Sequence, residues 1–427
     1  MEEMGLIIRG KEIHYGWITV LAGMLITSVG IGAFFSTNSI FVKPVCDELG
    51  FSRGEYTFHR TMVTLVGVFM LPFFGKLVRR VGIRRMLLVS TVVLSLLMLG
   101  YSLTTELWHF YALAVINGVF MHGLNFVIVG MLVSEWFHDK KGLATGLAYA
   151  GSGIGGAVMV PLMGQFIEAF GWRWGFRFIG LMGVVLLIPV ILLLVRNNPE
   201  SMGLRPYVDP ANAHKQEGDA DVATSGMTLQ QALRTPTFWL LTGSFFLIAI
   251  SAAGPNTHTV PYLTDLGYST VFATSVFSFF MIVLTAGKVA LGGLFDKFGT
   301  LLGSLFVGIT CMAFPILALF AQNPAAPWAY AFFLGLASSG FSVPVTVLVI
   351  HHFGRKDLPL IFSVSNMVTT LGSAASVPMM GFIYDATGEY RVAWLVLAAC
   401  GVLLTAGLVA ADLSGRRRGV RPRHSSI

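Results

Sequence analysis

Twelve apolar runs of about 20 residues, separated by short polar connections, leave this chain few folds. They fall at residues 14–37, 58–78, 84–103, 108–133, 142–167, 173–195, 236–260, 271–294, 300–321, 327–351, 359–383 and 390–411. An α-helix rises about 1.5 Å per residue, so each run matches a hydrocarbon layer about 30 Å thick. Lipid offers the backbone no hydrogen bonds, and helices supply their own. The expected fold is an all-α membrane protein with twelve transmembrane helices. Composition agrees: 11% of the 427 residues are charged, where soluble domains carry about 25%.

The basic residues orient the chain. With the N-terminus inside, 21 of the 28 lysines and arginines fall in cytoplasmic segments, as positively charged loops do. The formal charge of +7 is then a topological signal. The tail RRRGVRPRH is expected to face lipid headgroups, with nucleic acid excluded as a partner. Both termini are expected in the cytoplasm, and the first run is expected to stay as an anchor, since no short signal-peptide core precedes it. Cys46, Cys311 and Cys400 share no metal or redox spacing, and no disulfide is expected.

The long polar stretch 196–235 reads as a mobile cytoplasmic linker, with a short helix at 229–233. It divides the chain into an N-terminal six-helix bundle (1–195), a C-terminal six-helix bundle (236–411) and a basic tail (412–427). An internal repeat supports the division. Gly75, Arg80 and Gly82 recur 217 residues later as Gly292, Lys297 and Gly299. Pro161, Gly164, Glu168, Ala169 and Gly171 recur at the same offset as Pro378, Gly381, Asp385, Ala386 and Gly388. Duplicated six-helix halves are a transporter architecture; chance likeness between Gly-rich helices is the alternative.

Lys288 is the anomaly within the runs. It lies eight residues before Asp296, roughly 12 Å into the bilayer at helical rise, where a charge is costly and points to function. No Asp or Glu sits mid-run; Glu55, Glu106, Glu135, Glu168, Asp265, Asp296 and Asp385 fall near run ends. A substrate anion would complete the pair. The competing reading is a lysine facing water or deprotonated by burial, with no ligand role.

Several motifs resemble the major facilitator superfamily. The loops holding Gly75, Arg79, Arg80 and Gly82, and Gly292, Asp296, Lys297 and Gly299, resemble its GxxxDRxGRR signature. Tyr15-Gly16-Trp17, FVKP at 41–44, Phe51-Ser52-Arg53-Gly54-Glu55, residues 141–156, His258 with Pro261-Tyr262-Leu263, and GFIYDATGEY at 381–390 resemble its monocarboxylate porter branch, which includes oxalate:formate antiporter-like proteins. The resemblance spans residues 14–411. It implies two pseudo-symmetric six-helix bundles and places Lys288 where the family carries an arginine held to bind the substrate carboxylate. A lysine keeps the charge but lacks the bidentate fork. Arg79 replaces the family's first-loop aspartate. Ser36 and Leu284 stand where animal members place a lysine and an aspartate, so their proton coupling does not transfer unchanged.

Arg60, a few residues into the second run, is either an interfacial anchor or a gate residue facing the pathway. Two facing cations would favour a dicarboxylate such as oxalate, and Lys288 alone a monoanion. Asn38, His122, Asn125, Tyr149, Asn256, His258 and Asn366 could orient an anion; each could equally be a helix-packing hydrogen bond. His258 stands out because Gly254-Pro255 could break the helix beside it. His258, His122 or His59 could carry a coupled proton. His351 and His352 read as solvent-facing. The run Gly151-Ser152-Gly153-Ile154-Gly155-Gly156 has a dinucleotide-loop look but no strand before it, and reads as close helix packing. Neither a Walker loop nor a metal-spaced His/Cys cluster is present, and no cofactor is expected.

These features describe a secondary transporter of a prokaryotic inner membrane, and not an enzyme. Its substrate is expected to be a small monocarboxylate of the lactate or pyruvate kind, moved by proton symport or anion exchange. The alternatives are a dicarboxylate or formate-type antiporter, an exporter of a larger hydrophobic acid or drug, and a sensor on a transporter scaffold. A monomer in contact with membrane lipids is expected.

Overall fold

A computed structural model of the chain describes residues 6–8, 11–208, 226–340, 343–354 and 356–417. The middle of the linker (209–225) and the tail from 418 lie outside these residues, as do the side chains of Arg79 and Asp296 and the surroundings of Gly292. Strands β1 (Leu6–Ile8) and β2 (Lys11–Ile13) form a small antiparallel hairpin, and the remaining elements are helices. In chain order they are α1 (Tyr15–Thr27), α2 (Asn38–Leu49), α3 (Arg53–Val81), α4 (Ile83–Tyr101), α5 (Leu107–Phe120), α6 (Phe126–Trp136), α7 (Lys141–Phe170), α8 (Trp172–Met182) and α9 (Ile188–Leu194). There follow α10 (Leu229–Leu233), α11 (Pro236–Asp265), α12 (Thr270–Ala318), α13 (Ala326–Ser339), α14 (Val343–Phe353), α15 (Leu358–Thr387) and α16 (Arg391–Arg417).

Ten stretches among the described residues are long and apolar enough to cross a membrane. The 29-residue α3 and the α13–α14 pair complete twelve. The first span is longer than its apolar run. It continues from α1 through a π-helical turn at Ser28–Ala33 into α2, so FVKP is helical. The second span starts at a capping box: Ser52 Oγ accepts from Glu55 N at 3.2 Å, and Ser52 N donates to Glu55 Oε2 at 3.3 Å. The linker is ordered at both ends. Tyr207 N donates to Trp136 O at 2.9 Å, and Met227 N to Phe353 O at 2.8 Å. The stretch expected as a mobile linker is thus hydrogen-bonded at both described ends, and the short helix expected at 229–233 forms as α10, with its own capping box from Thr228 and Gln231.

The chain divides into two compact units, residues 1–217 with 268–281, and residues 218–267 with 282–427. The repeat offset of 217 is written into their backbones. Gly50 and Gly267 have φ of 71° and 91°, Gly82 and Gly299 have 92° and 77°, and Gly171 and Gly388 have 84° and 75°. A side chain at such φ is strained, so the duplicated glycines end or bend helices at matching places; Gly299 bends α12 between two spans.

Helix contacts repeat too. A Cβ on Gly155 of α7 would lie 2.2 Å from Ser28 O, and one on Gly372 of α15 would lie 2.5 Å from Phe246 O. Residues 155 and 372 are again 217 apart. The GSGIGG run thus lets two membrane helices touch backbone to backbone. Ser28 Oγ donates to Gly151 O at 2.9 Å and Thr27 Oγ1 to Ala148 O at 2.6 Å, fastening the same seam.

Candidate functional site

The fourth span is broken. Between α5 and α6 the chain makes a 3-10 turn at Met121–Leu124, and Asn125 is extended, with φ −112° and ψ 179°. Its Oδ1 accepts from Phe126 N at 2.6 Å, capping the second half-helix. Tyr149 of α7 donates its hydroxyl to Phe126 O at 2.7 Å and packs its ring 4.5 Å from that of Phe126. Asn125 and Tyr149, predicted singly, thus meet at one helix break. His122 lies in the 3-10 turn, buried, with Nε2 2.8 Å from Gly67 O. Its Nδ1 has no hydrogen-bond partner among the described residues.

In the second unit α13 ends at Ser339 and α14 begins at Val343, with residues 341–342 outside the described residues. Gly123, inside the fourth-span break, and Gly340, the residue that follows α13, are 217 residues apart. This is the signal that sequence reading passed over; it looked instead to the seventh span. There α11 runs unbroken through Pro255 and Pro261. Ser376 of α15 splices the turn before Pro255: Gly254 N donates to Ser376 Oγ at 2.9 Å, and Ser376 Oγ donates to Ile250 O. A side chain inserted into the ladder keeps both backbone groups satisfied.

The expected helix break beside His258 is therefore corrected. His258 is fully buried, with Nδ1 3.0 Å from Tyr390 Oη and Nε2 2.9 Å from Val377 O. Both ring nitrogens are engaged in packing α11 against α15 and the start of α16.

Lys288 sits half-buried on α12. One residue before it, a Cβ on Gly287 would lie 3.2 Å from Ser339 Oγ, at the last residue of α13. The backbone at Lys288 is thus carried beside the end of α13. Lys288 also interacts with another group of the chain. The half-buried Asn256 and Asn366 make no side-chain hydrogen bonds among the described residues. Asn366 is the 217-offset counterpart of Tyr149.

In the first unit the half-buried Arg60 places its guanidinium carbon 5.5 Å from the Phe35 ring centre, a cation–π geometry. Tyr56 and Tyr101, both buried, are its electrostatic neighbours, and it forms no ion pair among the described residues. Sequence reading missed both tyrosines, which lie on different helices. His59 is buried beside them, its Nδ1 against Tyr56 O of its own turn. Asn38 donates Nδ2 to Phe34 O and Phe35 O at 3.0 and 2.7 Å, stabilising the bend between α1 and α2.

The loop motifs lie at helix junctions. Gly75 has open space around it, Arg80 and Lys297 are exposed, and Lys297 Nζ lies 5.3 Å from its neighbour's ring at Phe298. Asn197 closes the junction at Gly82 by accepting from Arg84 N at 2.9 Å. The reading of His351 and His352 as solvent-facing is corrected for His352, which is buried near Asp412 of α16.

Monocarboxylate transporter 13 of Bos taurus is 26% identical over 405 residues, covering 92% of this chain and 89% of the relative. The oxalate:formate antiporter of Oxalobacter formigenes is 25% identical over 251 residues, 59% of this chain and 56% of the relative. The fold matches the crystal structure of a bacterial homologue of the human lysosomal transporter Spinster, with TM-score 0.68 and 16% identity over 95% of this chain and 96% of that one. The Major Facilitator Superfamily profile matches residues 20–333. Twelve spans in duplicated halves and a match over most of its length place the chain in the Major Facilitator Superfamily, as a multi-pass membrane transporter.

Proposed function

We propose that the chain is a secondary active transporter of a small monocarboxylate of lactate or pyruvate size, and not an enzyme. The observation that carries this reading is Lys288, a half-buried cation within a membrane-spanning helix, carried beside the end of α13. A charge buried in a membrane helix points to a substrate or ion pathway. The monocarboxylate relatives that span nearly the whole chain supply the substrate class. A lysine ammonium neutralises one carboxylate without demanding the planar geometry of an arginine fork. Asn256 and Asn366, in the same unit as Lys288, offer amides to orient the anion.

Substrate occupancy would lower the electrostatic cost of enclosing the lysine and so favour exposure of the site to each side in turn. Coupling is by proton symport or by anion exchange. For symport, His122 is the better proton carrier, since His258 has both nitrogens engaged. Arg60 favours a second reading, a dicarboxylate or formate-type antiporter, because its charge forms no ion pair among the described residues. The rest of the proposal is two six-helix halves (1–195 and 236–411) joined by 196–235 in a prokaryotic inner membrane. Both termini are cytoplasmic, the basic tail lies on lipid headgroups, and the chain works as a monomer.

Uptake of labelled lactate into proteoliposomes tests the reading. An inside-alkaline pH gradient should drive uptake by a symporter, and preloaded unlabelled acid should drive it in an exchanger. Competition by oxalate but not pyruvate would favour the second reading. Transport of bulky amphiphiles in preference to small acids would refute both.

A further inference from the structure

Apart from the substrate site, the second unit buries a group of ligating side chains that the transport reading leaves unused. His351 and His352 end α14, and Asp412 lies near the end of α16. One ligand atom from each, a ring nitrogen or a carboxylate oxygen, lies within 4.8 Å of the others. The side chains of His352 and Asp412 are 3% and 2% exposed. His352 Nε2 lies 4.0 Å from Asp412 Oδ1, too far for a hydrogen bond. It has no hydrogen-bond partner among the described residues, although an imidazole nitrogen so buried ordinarily has one. Thr300, just past the Gly299 bend of α12, donates its hydroxyl to Asp412 Oδ1 at 2.6 Å.

We infer that His351, His352 and Asp412 form a binding site for a divalent transition-metal ion of the zinc class. Two imidazoles and a carboxylate are the donors that zinc and its neighbours take, in contrast to the all-oxygen sets of calcium and magnesium. Zinc bonds to nitrogen and oxygen of about 2.0–2.2 Å place tetrahedral ligand atoms roughly 3.3 Å apart. The cluster therefore closes on an ion by side-chain rotations that bring its atoms nearer by up to about 1.5 Å, with the fourth position left to water. Thr300 is the outer partner that orients a ligating carboxylate. An ion here ties the ends of α14 and α16 together and, through Thr300, holds α12 just beyond its bend. The site is independent of the substrate reading, and its test does not require transport.

The experiment is zinc binding to the purified full-length chain in detergent, with any affinity tag removed, by competition against a fluorescent zinc chelator. Wild type should bind one ion per chain. Affinity should fall at least tenfold in His351→Asn and Asp412→Asn, and about 10–100-fold in Thr300→Val, which removes only the outer contact. His351 is half-buried, so His351→Asn keeps the test decisive if Asp412→Asn fails to fold, with monodispersity as the check. A wild-type chain that takes up no zinc, or a His351→Asn chain that holds it as tightly as wild type, overturns the inference.

Discussion

Gly155→Ala adds one methyl group where two membrane helices touch. Its Cβ would lie 2.2 Å from Ser28 O, while ordinary contact begins at 3.4 Å. The methyl meets backbone, so no rotamer change relieves it, and the helices must part by about 1 Å or distort, at about 1–3 kcal/mol. The loss acts against propensity, because Gly→Ala in a helix otherwise gains about 1 kcal/mol. Gly146, on the same helix with open space around it, isolates that gain. At about 2–4 °C per kcal/mol for a unit of this size, Gly155→Ala should melt several degrees below wild type in detergent. Gly146→Ala should melt at or above it. Gly372→Ala, the repeat counterpart 2.5 Å from Phe246 O, should behave like Gly155→Ala. Equal melting of Gly155→Ala and Gly146→Ala would refute the backbone-contact account of the glycine run.

Two further substitutions separate packing from ligand roles. His258→Phe should lower thermal stability by about 1–3 kcal/mol by leaving Tyr390 Oη and Val377 O buried and unsatisfied, while folded protein keeps the wild-type KM for substrate. A raised KM at unchanged stability would restore His258 as a ligand. Arg60→Gln should leave monocarboxylate uptake within about threefold of wild type and weaken competition by dicarboxylates, read from inhibition constants in proteoliposomes. Loss of both together would make Arg60 part of the monocarboxylate site.

Much of the fold was legible because lipid permits so little else. Runs of about 20 apolar residues had to be helices, and the 217-residue offset announced the duplication that the paired glycine φ values display. The glycine run was readable as packing because no strand preceded it. The site was harder. The seventh-span break was expected from Gly254-Pro255, but a serine 122 residues away in sequence, Ser376, heals that turn. The break at Met121–Leu124 carries no proline and is marked by Gly123, a weaker signal than Pro. Tyr56 lies one helical turn before Arg60 on α3 and was readable from spacing, but Tyr101 near Arg60 and Asp412 beside His352 come from distant segments that spacing alone could not join. Lys288 was visible as a charge in an apolar run, but its position against the end of α13 required the packing of Gly287 on Ser339.

The most direct test of the central claim is lactate uptake into proteoliposomes by Lys288→Ala, compared with wild type and Lys288→Arg at equal reconstituted protein. The account predicts that Lys288→Ala loses substrate-dependent uptake while remaining folded, and that Lys288→Arg retains it. Uptake by Lys288→Ala with unchanged rate and apparent affinity would contradict it.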